Sequence, residues 1–125
     1  MRCLSWNDFD QAVEQLAAQA AGCNGIYGIP RGGLVLAVAL SHRLELPLLE
    51  AAQPGCAVVD DVVETGLTVA PYRQLEGSCV LVWISKLEPQ WWQAVELTSS
   101  SEWIVFPWED RGRAEADERD YRARR

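Results

Sequence analysis

Val58-Val59-Asp60-Asp61-Val62-Val63-Glu64-Thr65-Gly66-Leu67-Thr68 changes character twice within eleven residues. It begins inside an apolar, β-branched run that starts at Cys56, which reads as a buried strand closing on Asp60-Asp61. It ends in a polar turn containing glycine, and a helix through Leu75 is expected to follow. Open α/β sheets bind ligands at the C-terminal ends of their strands, which is where this pattern puts two adjacent carboxylates. The turn after them offers backbone N–H groups and a helix N-terminus to an anion, with the Thr65 and Thr68 hydroxyls as further donors. Carboxylates beside such a cradle suit a ligand that also presents ribose hydroxyls or a hard cation; a phosphorylated sugar with Mg²⁺ has both. The plainer alternative is two exposed acids at a strand end followed by an ordinary helix start.

Working outward, the segments on either side repeat the alternation. Ser5-Trp6-Asn7-Asp8 offers helix-starting side chains, and Phe9, Val13, Leu16, Ala17 and Ala20 recur at helical spacing until Gly22 and Asn24. Residues 26–29 form a short apolar strand that runs into Pro30-Arg31-Gly32-Gly33, and a second apolar helix is expected over 34–44. Residues 46–49 suit another short strand. Downstream, Val80-Leu81-Val82-Trp83-Ile84 reads as a buried strand, and Trp103-Ile104-Val105-Phe106-Pro107-Trp108 as a last extended segment, an edge strand or a loop because of its proline. Continuously apolar strands alternating with helices predict an α/β fold: a Rossmann-like, mainly parallel sheet with helices on both faces.

The chain has 125 residues and a formal charge of −7, room for one modest domain. No run of 18 apolar residues and no leader pattern occurs, so a soluble, cytoplasmic protein without a membrane partner is expected. The acidic balance argues against a nucleic-acid partner held through phosphates and favours a small or metal-bound ligand. Cys3, Cys23, Cys56 and Cys79 show no C-x-x-C spacing and stand with a single histidine, His42, which reads as reduced thiols in or near the core and not as a zinc site. The last fifteen residues carry six Arg and four acids with no aliphatic larger than Ala. The boundary therefore falls near Gly112, with a domain over 1–112 and a charged tail over 113–125, helical or disordered.

The central string resembles the 5-phosphoribosyl-1-pyrophosphate motif of the type I phosphoribosyltransferases, with Asp60, Asp61, Thr65, Gly66 and Thr68 on its defining positions. Tyr27-Gly28-Ile29-Pro30-Arg31-Gly32-Gly33-Leu34-Val35 resembles that family's first loop. Ile84-Ser85-Lys86 is similar to its strand-end lysine, and Trp103-Ile104 with Pro107-Trp108 to the base-stacking segment of bacterial xanthine-guanine enzymes. Leu4-Ser5-Trp6 is also similar to the start of those enzymes. The likeness runs through most of 4–112.

The resemblance implies the type I phosphoribosyltransferase fold and a set of roles. Asp60 and Asp61 would hold the ribose hydroxyls, directly or through Mg²⁺. Glu64, Thr65, Gly66, Leu67 and Thr68 would take the 5′-phosphate, and Arg31, Gly32 and Gly33 the pyrophosphate. Lys86, the single lysine of the chain, would bind the exocyclic oxygen of a 6-oxopurine, with Trp103 and Ile104 against the base; Trp103 is equally readable as a core or edge aromatic. The family also leads one to expect a non-proline cis peptide at the Arg31-Gly32 turn. Two departures stand out: Glu64 replaces the family's aspartate at the position proposed to act on the purine ring nitrogen, and the long flexible loop between the strands at 46–49 and 56–59 is reduced to residues 50–55. The implied protein transfers a phosphoribosyl group to a purine, slowly and with some donor hydrolysis, or binds a purine nucleotide as a catalytically weak regulator. A homo-oligomer is compatible with either.

Overall fold

The computed structural model describes residues 1–124. The chain divides into two compact units, one over Ala12–Ser99 and one combining Met1–Gln11 with the segment from Ser100 onward.

The first unit is a four-stranded, wholly parallel sheet of order β2 (Ile26–Gly28), β3 (Ala57–Val63), β4 (Cys79–Ser85) and β5 (Gln93–Leu97). Val58, Val59, Leu81, Val82 and Ile84 are fully buried, as the unbroken apolar runs of β3 and β4 require of interior strands. Helix α2 (Gly32–Leu44) packs on β2 and β3 and buries Leu36, Ala37 and Leu40. Cys56, Val58, Val80 and Val82 belong to a core completed by Ile29, Val69 and Trp92, with Tyr72 and Leu75 packed against it.

Four local expectations change. β3 does not close on the acids but runs on to Val63, so Asp60 is itself a ladder residue, paired with Val82. The strand expected over 46–49 is a single bridge, Leu48 to Ile26. The helix expected through Leu75 is one 3-10 turn, Ala70–Tyr72, with Pro71 at its start. β5 is unannounced in the sequence pattern; the chain reaches it from β4 through residues 86–92, without a helix. Those residues bury Trp92, whose Nε1 donates to Ser85 Oγ at 3.1 Å, while the Ser85 hydroxyl donates to the Leu87 carbonyl at 2.6 Å.

In the second unit, β1 (Arg2–Cys3) pairs in parallel with β6 (Ile104–Val105). Helix α1 (Trp6–Gln19) starts here under a reciprocal cap. Ser5 Oγ accepts from the Asp8 N–H at 3.0 Å, and the Asp8 carboxylate accepts from the Ser5 N–H at 2.8 Å. Phe9 meets Trp6 and Trp108 edge-on, and Phe106 stacks on Trp108. The charged tail is helical: α3 (Arg111–Ala123) is capped by Asp110 and carries Arg111–Glu115, Arg113–Asp117 and Arg122–Glu118 pairs at i,i+4 spacing. No helix among the described residues is long and apolar enough to cross a membrane.

Candidate functional site

The carboxyl ends of β2, β3 and β4 converge on the residues the sequence singles out. β2 leads into Pro30-Arg31-Gly32-Gly33, where the Pro30–Arg31 peptide is cis, one bond before the turn position expected. The Ile29 N–H donates to the Val59 carbonyl at 2.9 Å and the Gly33 N–H to Ile29 at 2.8 Å, fastening this turn to β3. Two glycines are sterically required. A Cβ on Gly33 would collide with the Val59 carbonyl oxygen, and one on Gly32 with the Asp61 carboxylate. The loop backbone therefore lies directly against the acidic pair, with the Arg31 side chain exposed.

Asp60 and Asp61 are a single electrostatic object. Asp60 is only 5% exposed. Its carboxylate accepts from the Asp61 N–H at 2.9 Å, and that of Asp61 accepts from the Val62 N–H at 2.8 Å. Burial first, then the neighbouring Asp61 charge, pushes the Asp60 carboxyl up to about 8. Burial raises Asp61 as well, against hydrogen bonds from the Asp60 side chain and Val62 that pull it back. The pair thus tends to keep a proton, as two acids out of water must.

Next to them, Lys86 Nζ lies 3.6 Å from Glu64 Oε1, and the Lys86 N–H donates to the Val63 carbonyl at 2.8 Å. The end of β4 thereby sets a lysine beside the residue that follows β3. The turn Thr65-Gly66-Leu67-Thr68 projects outward, with Thr65 and Thr68 exposed and Leu67 76% exposed. Gly66 adopts φ +84°, Thr65 Oγ1 accepts from the Leu67 N–H at 3.3 Å, and the Ala70 N–H donates to Gly66. With only a 3-10 turn behind it, this segment lacks the helix N-terminus expected of it. An anion here would be held by hydroxyls and turn N–H groups, without a helix dipole.

The shortened connection over 50–55 is tied down. The Leu49 N–H donates to Ile26, Asn24 Nδ2 donates to the Pro54 carbonyl and the Gly55 N–H to Glu76. The structure adds two side chains that sequence spacing does not mark. Tyr27 and Tyr72 face each other with ring centroids 5.9 Å apart. Burial, the Tyr27 phenol and the Asp60 charge push Tyr72 up to about 12. Tyr72 lies inside the segment expected to be helical, and the structure sets it at the end of the 3-10 turn, against Tyr27. Trp103 and Ile104 lie in the terminal unit, where Trp103 packs on Tyr121 and Ile104 is a buried residue of β6.

Among the described residues no group of three or more His, Cys, Asp or Glu is arranged to hold a metal. Two carboxylates alone suit Mg²⁺, which takes one or two from a protein and its other oxygens from water and a phosphorylated ligand.

No protein-family model matches the chain, and no curated protein matches it by sequence. By structure it is similar to a purine phosphoribosyltransferase from Pyrococcus horikoshii Ot3, at 26% identity and TM-score 0.72, over 87% of this chain and 94% of that one. It is also similar to the Helicobacter pylori xanthine-guanine-hypoxanthine phosphoribosyltransferase, at 16% identity and TM-score 0.71, over 93% and 98% of the two chains. A hypothetical protein from Neisseria gonorrhoeae with bound ppGpp matches over 99% of this chain and 98% of its own, at 16% identity and TM-score 0.65.

Proposed function

We propose that this chain, which has the fold of the type I phosphoribosyltransferases, binds 5-phosphoribosyl-1-pyrophosphate with Mg²⁺ at the carboxyl edge of its sheet and transfers the phosphoribosyl group to a 6-oxopurine. The observation that carries the reading is the Asp60–Asp61 pair, whose Asp61 carboxylate lies against Gly32. Burying two adjacent acids costs stability unless a ligand repays it. Mg²⁺ held by Asp60 and Asp61 would supply the positive charge that offsets the pair and a pyrophosphate leaving group.

The chain's own residues divide the remaining work. Asp60 and Asp61 hold the ribose hydroxyls, and the Arg31-Gly32-Gly33 turn meets pyrophosphate with backbone close to the ligand. Thr65, Gly66, Leu67 and Thr68 take the 5′-phosphate. Lys86 carries donors and no acceptor, so it selects a carbonyl oxygen over the amino group of adenine. Glu64, beside Lys86, is the acid–base group for the purine ring nitrogen, where geometry counts before pKa. The tied 50–55 connection leaves the reacting carbon open to water, so transfer is slow and accompanied by hydrolysis of the donor.

The test is nucleotide formation from the donor and Mg²⁺ with guanine, xanthine, hypoxanthine and adenine in turn. Faster use of adenine than of guanine would remove Lys86 from its role. A second reading is a nucleotide-binding regulator of the same fold. It is favoured by the fixed 50–55 connection and the exposed 65–68 turn, and the Neisseria structure supplies a ligand to try. A thermal shift with GMP or ppGpp but no transfer to any base would support it, and no shift with donor, GMP or ppGpp would sink both readings.

A further inference from the structure

The opposite ends of the same strands carry sulfur. Cys79 opens β4, Cys56 immediately precedes β3, and Cys23 lies in the turn between α1 and β2. Cys23 Sγ and Cys79 Sγ are 3.3 Å apart, both half-buried, while Cys56 is fully buried. The Cys79 N–H donates to the Cys56 carbonyl, fixing Cys79 in the ladder, whereas Cys23 sits outside any helix or strand. No group of three metal-ligating side chains gathers here among the described residues. What the fold places together is a thiol pair with one fixed and one adaptable partner.

We propose that Cys23 and Cys79 form an oxidation site, in which a small-molecule disulfide converts the two thiols reversibly into an intramolecular bond. The Cys23 thiolate attacks one sulfur of the disulfide, forming a mixed disulfide and expelling the first thiolate. Cys79 then gives its proton to solvent and attacks Cys23 Sγ, expelling the second. Two protein S–H bonds are lost, one S–S bond forms, and the oxidant leaves as two thiols. The sulfurs need to close by about 1.2 Å to reach bonding distance, a movement the Cys23 turn can supply. Burial and the adjacent Cys23 thiol push Cys79 up to about 12. Cys79 therefore keeps its proton until the second step, and closure accelerates as pH rises. Cys56, raised by burial and enclosed in the core, is not an entry point.

The closed loop spans β2, α2 and β3, and such a long loop restricts the unfolded chain strongly, so oxidation should raise Tm by about 5–15 °C. The bond lies at the end of β4 opposite Ser85, about 20 Å along the strand from the candidate site, and the inference stands independently of the proposed function.

The experiment incubates the full chain with oxidised glutathione, alkylates remaining thiols under denaturing conditions and maps the tryptic fragments. The expected product has two alkylated cysteines and a reducible link between fragments 3–31 and 74–86, which contain Cys23 and Cys79. It persists in Cys3→Ser, which leaves Cys23 as the only cysteine of the first fragment, and disappears in Cys23→Ser and Cys79→Ser. Four alkylated cysteines at every glutathione ratio, a link through fragment 44–73, which holds Cys56, or a link between chains would each overturn the proposal. So would an oxidised form that melts no higher than the reduced one.

Discussion

Asp60→Asn should stabilise the protein above neutral pH and leave it unchanged near pH 4. The reason is the elevation of Asp60 from 3.8 to about 8 inside the fold. A carboxyl with a raised folded value binds its proton more tightly in the native than in the unfolded chain. Native stability is therefore highest below about pH 4, falls as pH rises from there to about 8, and levels off above it. Each tenfold change in proton affinity corresponds to 1.36 kcal/mol, so the full fall is about 6 kcal/mol. Because Asp60 is buried, little of this is screened; burial raises Asp61 in the same direction. Asparagine keeps the shape and can donate to Asp61 as the protonated acid does, but has nothing to ionise. Urea titrations in chelator at pH 4.5, 6, 7.5 and 8.5 should give curves that nearly coincide at the acid end and diverge toward about 6 kcal/mol at the basic end. The gap in Tm at pH 8.5 should be about 10–20 °C. Parent and variant curves that run parallel across this range would show that the two acids are not a buried, mutually opposed pair.

Lys86→Met should weaken guanine or hypoxanthine binding by about 100-fold, the loss of one charged hydrogen bond, and leave adenine binding unchanged; calorimetric titration of each base checks both halves. Gly33→Ala drives a methyl into the Val59 carbonyl and should cost about 3 kcal/mol, read as a lower urea midpoint with an unchanged slope. Ser5→Ala removes one half of the cap on α1 and should cost about 1 kcal/mol, seen as a drop in Tm of a few degrees with no effect on ligand binding.

The parts of this fold that could be read from sequence are those whose residues answer to one local demand. Val80 to Ile84 can only be a strand buried on both sides, and Ser5 with Asp8 caps a helix regardless of what lies around it. The acidic pair stands out for the same reason, as two adjacent acids at the close of an apolar run, although the strand itself runs on through them to Val63. The helix expected after Thr68 failed because Val69, Tyr72 and Leu75 mimic helical spacing, while the segment settles into a single 3-10 turn with Pro71 at its start. β5 was hidden because Gln93-Ala94-Val95-Glu96-Leu97 has no strict alternation, and β1 because two residues carry no period at all. Tyr72 beside Tyr27, and Cys23 beside Cys79, are meetings of distant positions that no spacing rule connects. The glycines at 32 and 33 were recognised as a turn, but the groups that exclude a side chain there, the Asp61 carboxylate and the Val59 carbonyl, come from another strand.

The order of the large sheet, β2-β3-β4-β5, is also the order in which those strands occur along the chain. A nascent polypeptide can therefore lay it down one edge at a time, each new strand docking on the one synthesised just before it. The small sheet obeys the opposite rule, because β1 pairs with β6 across about a hundred intervening residues, and closing so long a loop is entropically costly until the intervening chain has condensed. Arg2 and Cys3, translated ahead of every strand of the large sheet, find their partner only after the whole of it has left the ribosome.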